Sequence, residues 1–126
     1  MTERPLTTAL QVLPGGHCLI TVDGELDHHT APQLRAALDE VAFGPGSLLV
    51  IDLTRLTYCD STGITAMVTA HQRAQRAGGL LTLAGLSQEL RRVFEIVGLD
   101  QFFSIRPTVA DAIETAPGRG TAPEAP

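Results

Sequence analysis

The stretch Ser47-Leu48-Leu49-Val50-Ile51-Asp52-Leu53, followed shortly by Asp60-Ser61-Thr62-Gly63, decides the fold class. The first run is almost continuously apolar, as expected of a central strand covered on both faces. The tetrapeptide reads as a helix start, because Asp, Ser and Thr are favoured N-caps and Gly in the first turn permits a tight approach. A helix follows with Ile64, Met67, Val68 and His71 on one face, and it stops at Gly78-Gly79. A strand that hands directly to a helix leaves orphan N–H groups and a positive dipole end at the carboxyl edge of the sheet. Open α/β sheets place their sites at that edge. Ser61 is therefore either part of a helix cap and nothing more, or a hydroxyl presented at a site.

Working outward, Leu6 to Leu13 and Cys18 to Asp23 read as strands, and Pro14-Gly15-Gly16 supplies the turn of a hairpin. Thr30-Ala31-Pro32-Gln33 then predicts a helix start, with Thr30 as cap, Pro32 in the first turn and Gln33 completing a capping box. Leu34, Ala37, Leu38 and Val41 make one apolar stripe before Gly44-Pro45-Gly46. Beyond the second helix, Leu80 to Ala84 is another strand. Ser87 caps a third helix whose Leu90, Val93, Phe94 and Val97 are expected to face inward, and Gly98-Leu99 ends it. A short strand at Phe103 to Ile105 and a last helix capped by Thr108, with Asp111 at the box position, complete the domain. The fold expected is one α/β domain: a mixed sheet with an N-terminal antiparallel hairpin, helical crossovers and about four helices. Its bounds are residues 6–115, after an extension at 1–5 and before a tail at 116–126. The tail's three prolines, two glycines and lack of large apolar side chains predict disorder.

With 126 residues and 44% hydrophobic content, the chain can bury one core. Its 14 acidic and 9 basic residues give a net charge of -5, the wrong sign for tracking nucleic acid or an anionic membrane. Every basic residue is Arg, which removes Schiff-base chemistry and a phosphate-loop lysine. No apolar run reaches membrane-span length and the N-terminus lacks a signal-peptide core, so a cytoplasmic location is expected. Cys18 and Cys59 lack metal or redox spacing and read as small buried thiols. His71, alone on an apolar stripe, reads as a hydrogen-bonded core residue.

Gly24-Glu25-Leu26-Asp27-His28-His29 gathers two carboxylates and two imidazoles, which raises metal-dependent hydrolysis through Asp27, His28 and His29. Adjacent histidines diverge in extended chain, however, and His17 and His71 offer no matching spacing. A Ser-His-Asp triad through Ser61 lacks the nucleophile-elbow glycines. Gly63 alone does not make a phosphate loop. No cofactor is expected.

Taken together, Gly24 to Ala31, Asp60-Ser61-Thr62-Gly63, Gly78-Gly79-Leu80 and Arg92-Val93-Phe94-Glu95-Ile96-Val97-Gly98-Leu99 closely resemble the anti-sigma factor antagonists of the STAS domain family. The likeness runs from about Leu6 to Thr115. It implies a non-catalytic bacterial regulator of transcription that works by partner switching. The resemblance makes Ser61 the phosphoacceptor of an anti-sigma factor with serine kinase activity, reversed by a serine phosphatase. It places Glu25, Asp27, Asp60, Ser61, Thr62 and Gly63 at the partner contact. Many relatives carry Gly two places after Gly63, where this chain has Thr65, which bears on the choice of partner. The alternative within the family is a scaffold subunit of a transport or signalling complex, in which Ser61 is only part of a cap.

Overall fold

The computed structural model describes residues 5–116. The elements run in order β1 (Thr7–Leu13), β2 (His17–Leu26), α1 (Ala31–Asp39), β3 (Leu48–Cys59), α2 (Ser61–Arg76), β4 (Leu80–Ala84), α3 (Gln88–Ile96), β5 (Ser104–Arg106) and α4 (Val109–Ile113). The five strands lie side by side in sequence order. β1 and β2 form the antiparallel hairpin, with Leu13 opposite His17 across the three-residue turn, and the remaining neighbours are parallel. The mixed sheet, hairpin and four helices expected from the sequence are all present.

Alternation along the strands splits the apolar residues between two faces. Ile20, Val22, Leu49, Ile51, Leu53, Leu81 and Leu83 pack with Leu34 and Leu38 of α1, Met67, Ala70 and Ala74 of α2, and Phe94 of α3 in the main core. Leu48, Val50 and Ala84 point the other way, against Ala112 of α4 and Ala116. Buried Thr82 on that second face has its hydroxyl within 3.2 Å of both Ser104 Oγ and Thr115 Oγ1, so the short C-terminal helix is tied by hydrogen bonds as well as packing. Ala116, expected at the head of a disordered tail, is buried at 4% exposure, and residues 117–126 lie outside those described.

Several boundaries and faces differ from the sequence reading. β2 and β3 run on to Leu26 and Cys59, well past Asp23 and Leu53. The extension is possible because the two strands continue to pair with each other through register shifts around Asp23 and Gly24. Gly24 has φ +120°, and a Cβ there would run into the Pro5 carbonyl oxygen, so the bulge requires glycine. β5 begins one residue later than expected, because Phe103 turns into the core.

The apolar stripe of α3 divides. Phe94 is the one buried residue of that helix and Leu90 is half-buried, whereas Val93 and Val97, expected inward, are exposed along with Ile96. A nine-residue helix lying at the sheet margin has only one side to bury, and four apolar positions span more arc than that side covers. Cys18 and Cys59 are free and only partly buried, not fully buried.

Phe94 thus carries most of the attachment of α3. Phe94→Ala is expected to lower unfolding free energy by about 3–5 kcal/mol in urea titrations. Val93→Ala and Val97→Ala on the exposed side should stay within about 0.5 kcal/mol of wild type.

Candidate functional site

The ends of β2 and β3 converge. Leu26 and Cys59 are paired across the strands, and the Asp60 N–H donates to the Leu26 carbonyl at 3.1 Å, so the chain after each strand starts from the same point. Asp60 is the N-cap of α2, with extended backbone (φ -99°, ψ -175°). Its Oδ1 accepts from the Gly63 N–H at 3.1 Å, satisfying one of the helix's orphan donors. Ser61 is the first residue of the helix and is exposed. Thr62 is half-buried and Gly63 buried. Thr65 is also exposed, and its hydroxyl donates to the Ser61 carbonyl at 2.9 Å.

Gly63 is forced by packing. A Cβ at that position would lie 2.6 Å from Leu26 Cγ, 2.8 Å from Leu26 Cδ2 and 3.0 Å from Cys59 Sγ, so any larger residue pushes the first turn of α2 off the end of β2. Its backbone φ is not in the left-handed region, which leaves close approach as the whole reason. Cys59, squeezed into this junction, has its thiol pushed up to about 12 by burial and secondarily by the Asp60 carboxylate. It stays protonated at neutral pH and is a poor nucleophile.

On the facing loop, Asp27 follows β2 directly and folds the chain around its own carboxylate. Oδ1 accepts from the His29 N–H at 2.9 Å and the Thr30 N–H at 3.0 Å. The Thr30 backbone bond does most to hold the Asp27 carboxyl below its ordinary 3.8, with the His29 N–H, the Thr30 hydroxyl and the His29 charge assisting against a smaller opposing effect of desolvation. The capping box expected from Thr30 and Gln33 does not form. Thr30 has helical backbone angles and makes no side-chain cap. Its hydroxyl instead donates to the Glu25 carbonyl at 2.8 Å and accepts from the Asp27 N–H at 2.9 Å, closing the loop upon itself. Glu25 lies within β2, half-buried and paired with Tyr58, so its backbone supports the loop.

His28 and His29 are exposed, with ring centroids 4.1 Å apart. Among the described residues no group of three or more His, Cys, Asp or Glu side chains is placed to hold a metal ion. His71 is remote from this loop, packed against Phe102 and Phe103.

The structure therefore brings the predicted residues together as a strand-end pair: Glu25 and Asp27 from one side, Asp60 to Gly63 from the other. Sequence reading missed what adjoins them. A groove of about 150 Å³ runs between the end of β3 and the start of α3, lined by Leu56, Tyr58, Cys59, Ser87, Leu90 and Val93 among others. Tyr58 and Val93 are 53% and 43% exposed. Helical periodicity assigned Val93 to the core, and Tyr58 lay outside the strand as first read. The alternation of β3 continued to Cys59 was the signal that could have found it.

Packing at the junction separates two substitutions that are neighbours in sequence. Gly63→Ala is expected to cost about 1–3 kcal/mol of stability by overpacking against Leu26. Ser61→Ala, which removes an exposed hydroxyl engaged by no cap, should change stability by less than about 0.5 kcal/mol. Urea denaturation followed by circular dichroism measures both.

The STAS domain family matches residues 10–112 of this chain. An anti-sigma-B factor antagonist from Listeria monocytogenes serovar 1/2a is 41% identical over 90 residues, covering 71% of this chain and 79% of that protein. The crystal structure of an anti-sigma factor antagonist from Mycobacterium paratuberculosis superposes with a TM-score of 0.77 at 29% identity, over 88% of this chain and 93% of that one. The phosphorylated form of the Bacillus cell fate determinant SpoIIAA shares the fold, with a TM-score of 0.66 at 24% identity over 86% and 98% of the two chains. With the family match spanning nearly all the described residues and the strand-end junction in place, the chain belongs to the STAS domain family.

Proposed function

We propose that this protein is an anti-sigma factor antagonist: it binds an anti-sigma factor with serine kinase activity while Ser61 is unmodified and is released when Ser61 is phosphorylated. A serine phosphatase would reset it. The observation that carries this reading is the placement of Ser61, exposed on the first turn of a helix whose start is fixed by the Asp60 cap. Relatives named as antagonists of anti-sigma factors, and a fold relative with a phosphorylated form, support it.

The physics of the switch follows from the site. A phosphate on Ser61 adds about -1.5 to -2 charges at neutral pH. The fold tolerates it, because a helix N-terminus offers N–H groups and the positive dipole end to an anion. A docked partner does not tolerate it, because the dianion would have to be desolvated beside the half-buried Asp60 carboxylate. Each 1.4 kcal/mol of that penalty multiplies the dissociation constant about tenfold. Thr62, Gly63 and Asp27 frame the contact. The groove between β3 and α3 gives the partner a place to bury an apolar side chain, with Tyr58 and Val93 as its exposed lips. Thr65, whose hydroxyl donates to the Ser61 carbonyl, adds bulk beside the phosphoacceptor.

Incubation with the cognate anti-sigma kinase and ATP is expected to place a single phosphate on Ser61, located by mass spectrometry. Ser61→Ala should abolish it while retaining the fold, and the phosphorylated protein should bind the kinase about 100- to 1000-fold more weakly. A phosphate on Thr62 instead, or unchanged affinity after modification, contradicts the reading. Val93→Asp, which puts a charge on the lip of the groove, should weaken the unphosphorylated complex at least about tenfold in calorimetric titrations. Its circular dichroism should match wild type.

A further inference from the structure

Among the described residues, the imidazole of His71 is the one buried titratable side chain, and the switch at Ser61 does not use it. It projects from α2 into the main core and is 7% exposed. Its Nδ1 is buried with no hydrogen-bond partner among the described residues, contrary to the hydrogen-bonded core histidine the sequence suggested. What surrounds it is aromatic. The Phe102 ring centroid is 4.5 Å away and that of Phe103 5.4 Å, and Phe103 in turn lies 5.7 Å from Phe94. Phe94 is the one buried residue of α3, and the connector that follows is folded back on it by bonds from the Leu99 N–H to the Phe94 carbonyl and from the Phe102 and Phe103 N–H groups to the Leu99 carbonyl. The imidazole therefore packs on the connector's two rings, and through Phe103 is linked to the α3 anchor Phe94.

We infer that His71 makes the seating of α3 acid-sensitive: protonating its imidazole places a charge and an unanswered N–H against Phe102 and Phe103, the rings that back Phe94, and the helix with its connector opens to relieve it. Neutral, the ring is an apolar plate with one orphan nitrogen. Protonated, it carries two N–H donors, and the buried one faces no acceptor. The nearby charges do not compensate. Arg73 on α2 is turned to Asp39 at 3.0 Å, Glu95 on α3, Asp100 in the connector and Arg106 on β5 are exposed, and β4 carries no titratable group. Burial alone pushes the imidazole below its ordinary 6.5.

The direction of the pH effect follows. Above 6.5 the ring is neutral whether α3 is seated or open, and the seat has its full stability. As pH falls below 6.5 the open form takes up the proton more readily than the seated one, so opening becomes progressively easier. The opening unit is α3 with its connector, since this helix has a single buried residue, whereas α2 has six and the central strands are covered on both faces. α3 is also one wall of the groove beside Ser61, so acid would weaken the partner's grip without any phosphate. That last consequence rests on the proposed function; the opening itself does not.

Amide hydrogen exchange on the isolated full-length protein tests the opening, with rates corrected for the intrinsic pH dependence of exchange. Between about pH 7.5 and about pH 5.5, protection over 88–103 is expected to fall, by about tenfold at most, while amides of β3 and β4 keep theirs. In His71→Phe, or His71→Leu if the larger ring does not fit, that fall should disappear. Unchanged protection of α3 in the wild type, loss shared equally by the sheet, or a fall that persists in the variant overturns the inference. If neither variant folds, titration of the His71 ring by NMR in the wild type decides: a midpoint below 6.5 coinciding with the rise in α3 exchange supports it, and a midpoint at or above 6.5 overturns it.

Discussion

The contact on which the structure depends is that between the first turn of α2 and the end of β2. Asp60 donates its N–H to the Leu26 carbonyl while its side chain caps the helix at Gly63, and Gly63 lies against the Leu26 side chain with no room for a methyl group. Three residues thereby fix where the helix starts, which way it points and how near it comes to the facing loop. With the helix held in this way, Ser61 has no structural duty of its own. The cap is made by Asp60, and Ser61 is exposed, as the proposed modification requires.

The division of labour extends across the junction. On the β2 side, Asp27 and Thr30 bond to each other's backbone and the Thr30 hydroxyl also donates to the Glu25 carbonyl, so the loop is closed by polar bonds without any large buried side chain. On the β3 side, Cys59 is compressed into an unreactive thiol. The polar groups near Ser61 serve mainly to set geometry. A groove between β3 and α3 lies one step away, where Leu56, Leu90 and Val93 share the lining with Thr57, Ser87 and Glu89. Under the proposed function, the phosphate would act at the polar point while the apolar residues of the groove contribute affinity. No helix among the described residues is long and apolar enough to cross a membrane.

Much of this was legible in the sequence because local rules and the fold agree there. The continuous apolar run of β3, the glycine turn of the hairpin, and the Ser87 and Thr108 caps each have a single local cause, and each appears as read. Asp60 to Gly63 were legible for the same reason. What was not legible depended on tertiary competition. Thr30 was expected to cap α1, but its hydroxyl is claimed by the Glu25 carbonyl five residues back. Val93 and Val97 fit a buried stripe by period, yet the sheet margin offers α3 too little surface to cover them. His71 was placed in the core correctly, but its environment of phenylalanine rings, set by a connector thirty residues on, could not be inferred from α2 alone.

In the proposed switch, a dianion at Ser61 acts across an interface and leaves the domain's own structure in place. Comparison of the backbone amide NMR spectra of the unmodified protein and the protein phosphorylated at Ser61 tests this most directly. The account predicts shifts confined to the strand-end junction, residues 26–30 and 58–66, with the amides of β4, α4 and the α1 face unmoved. Displacements spread through the sheet and its second face would mean that phosphorylation refolds the domain, and would contradict it.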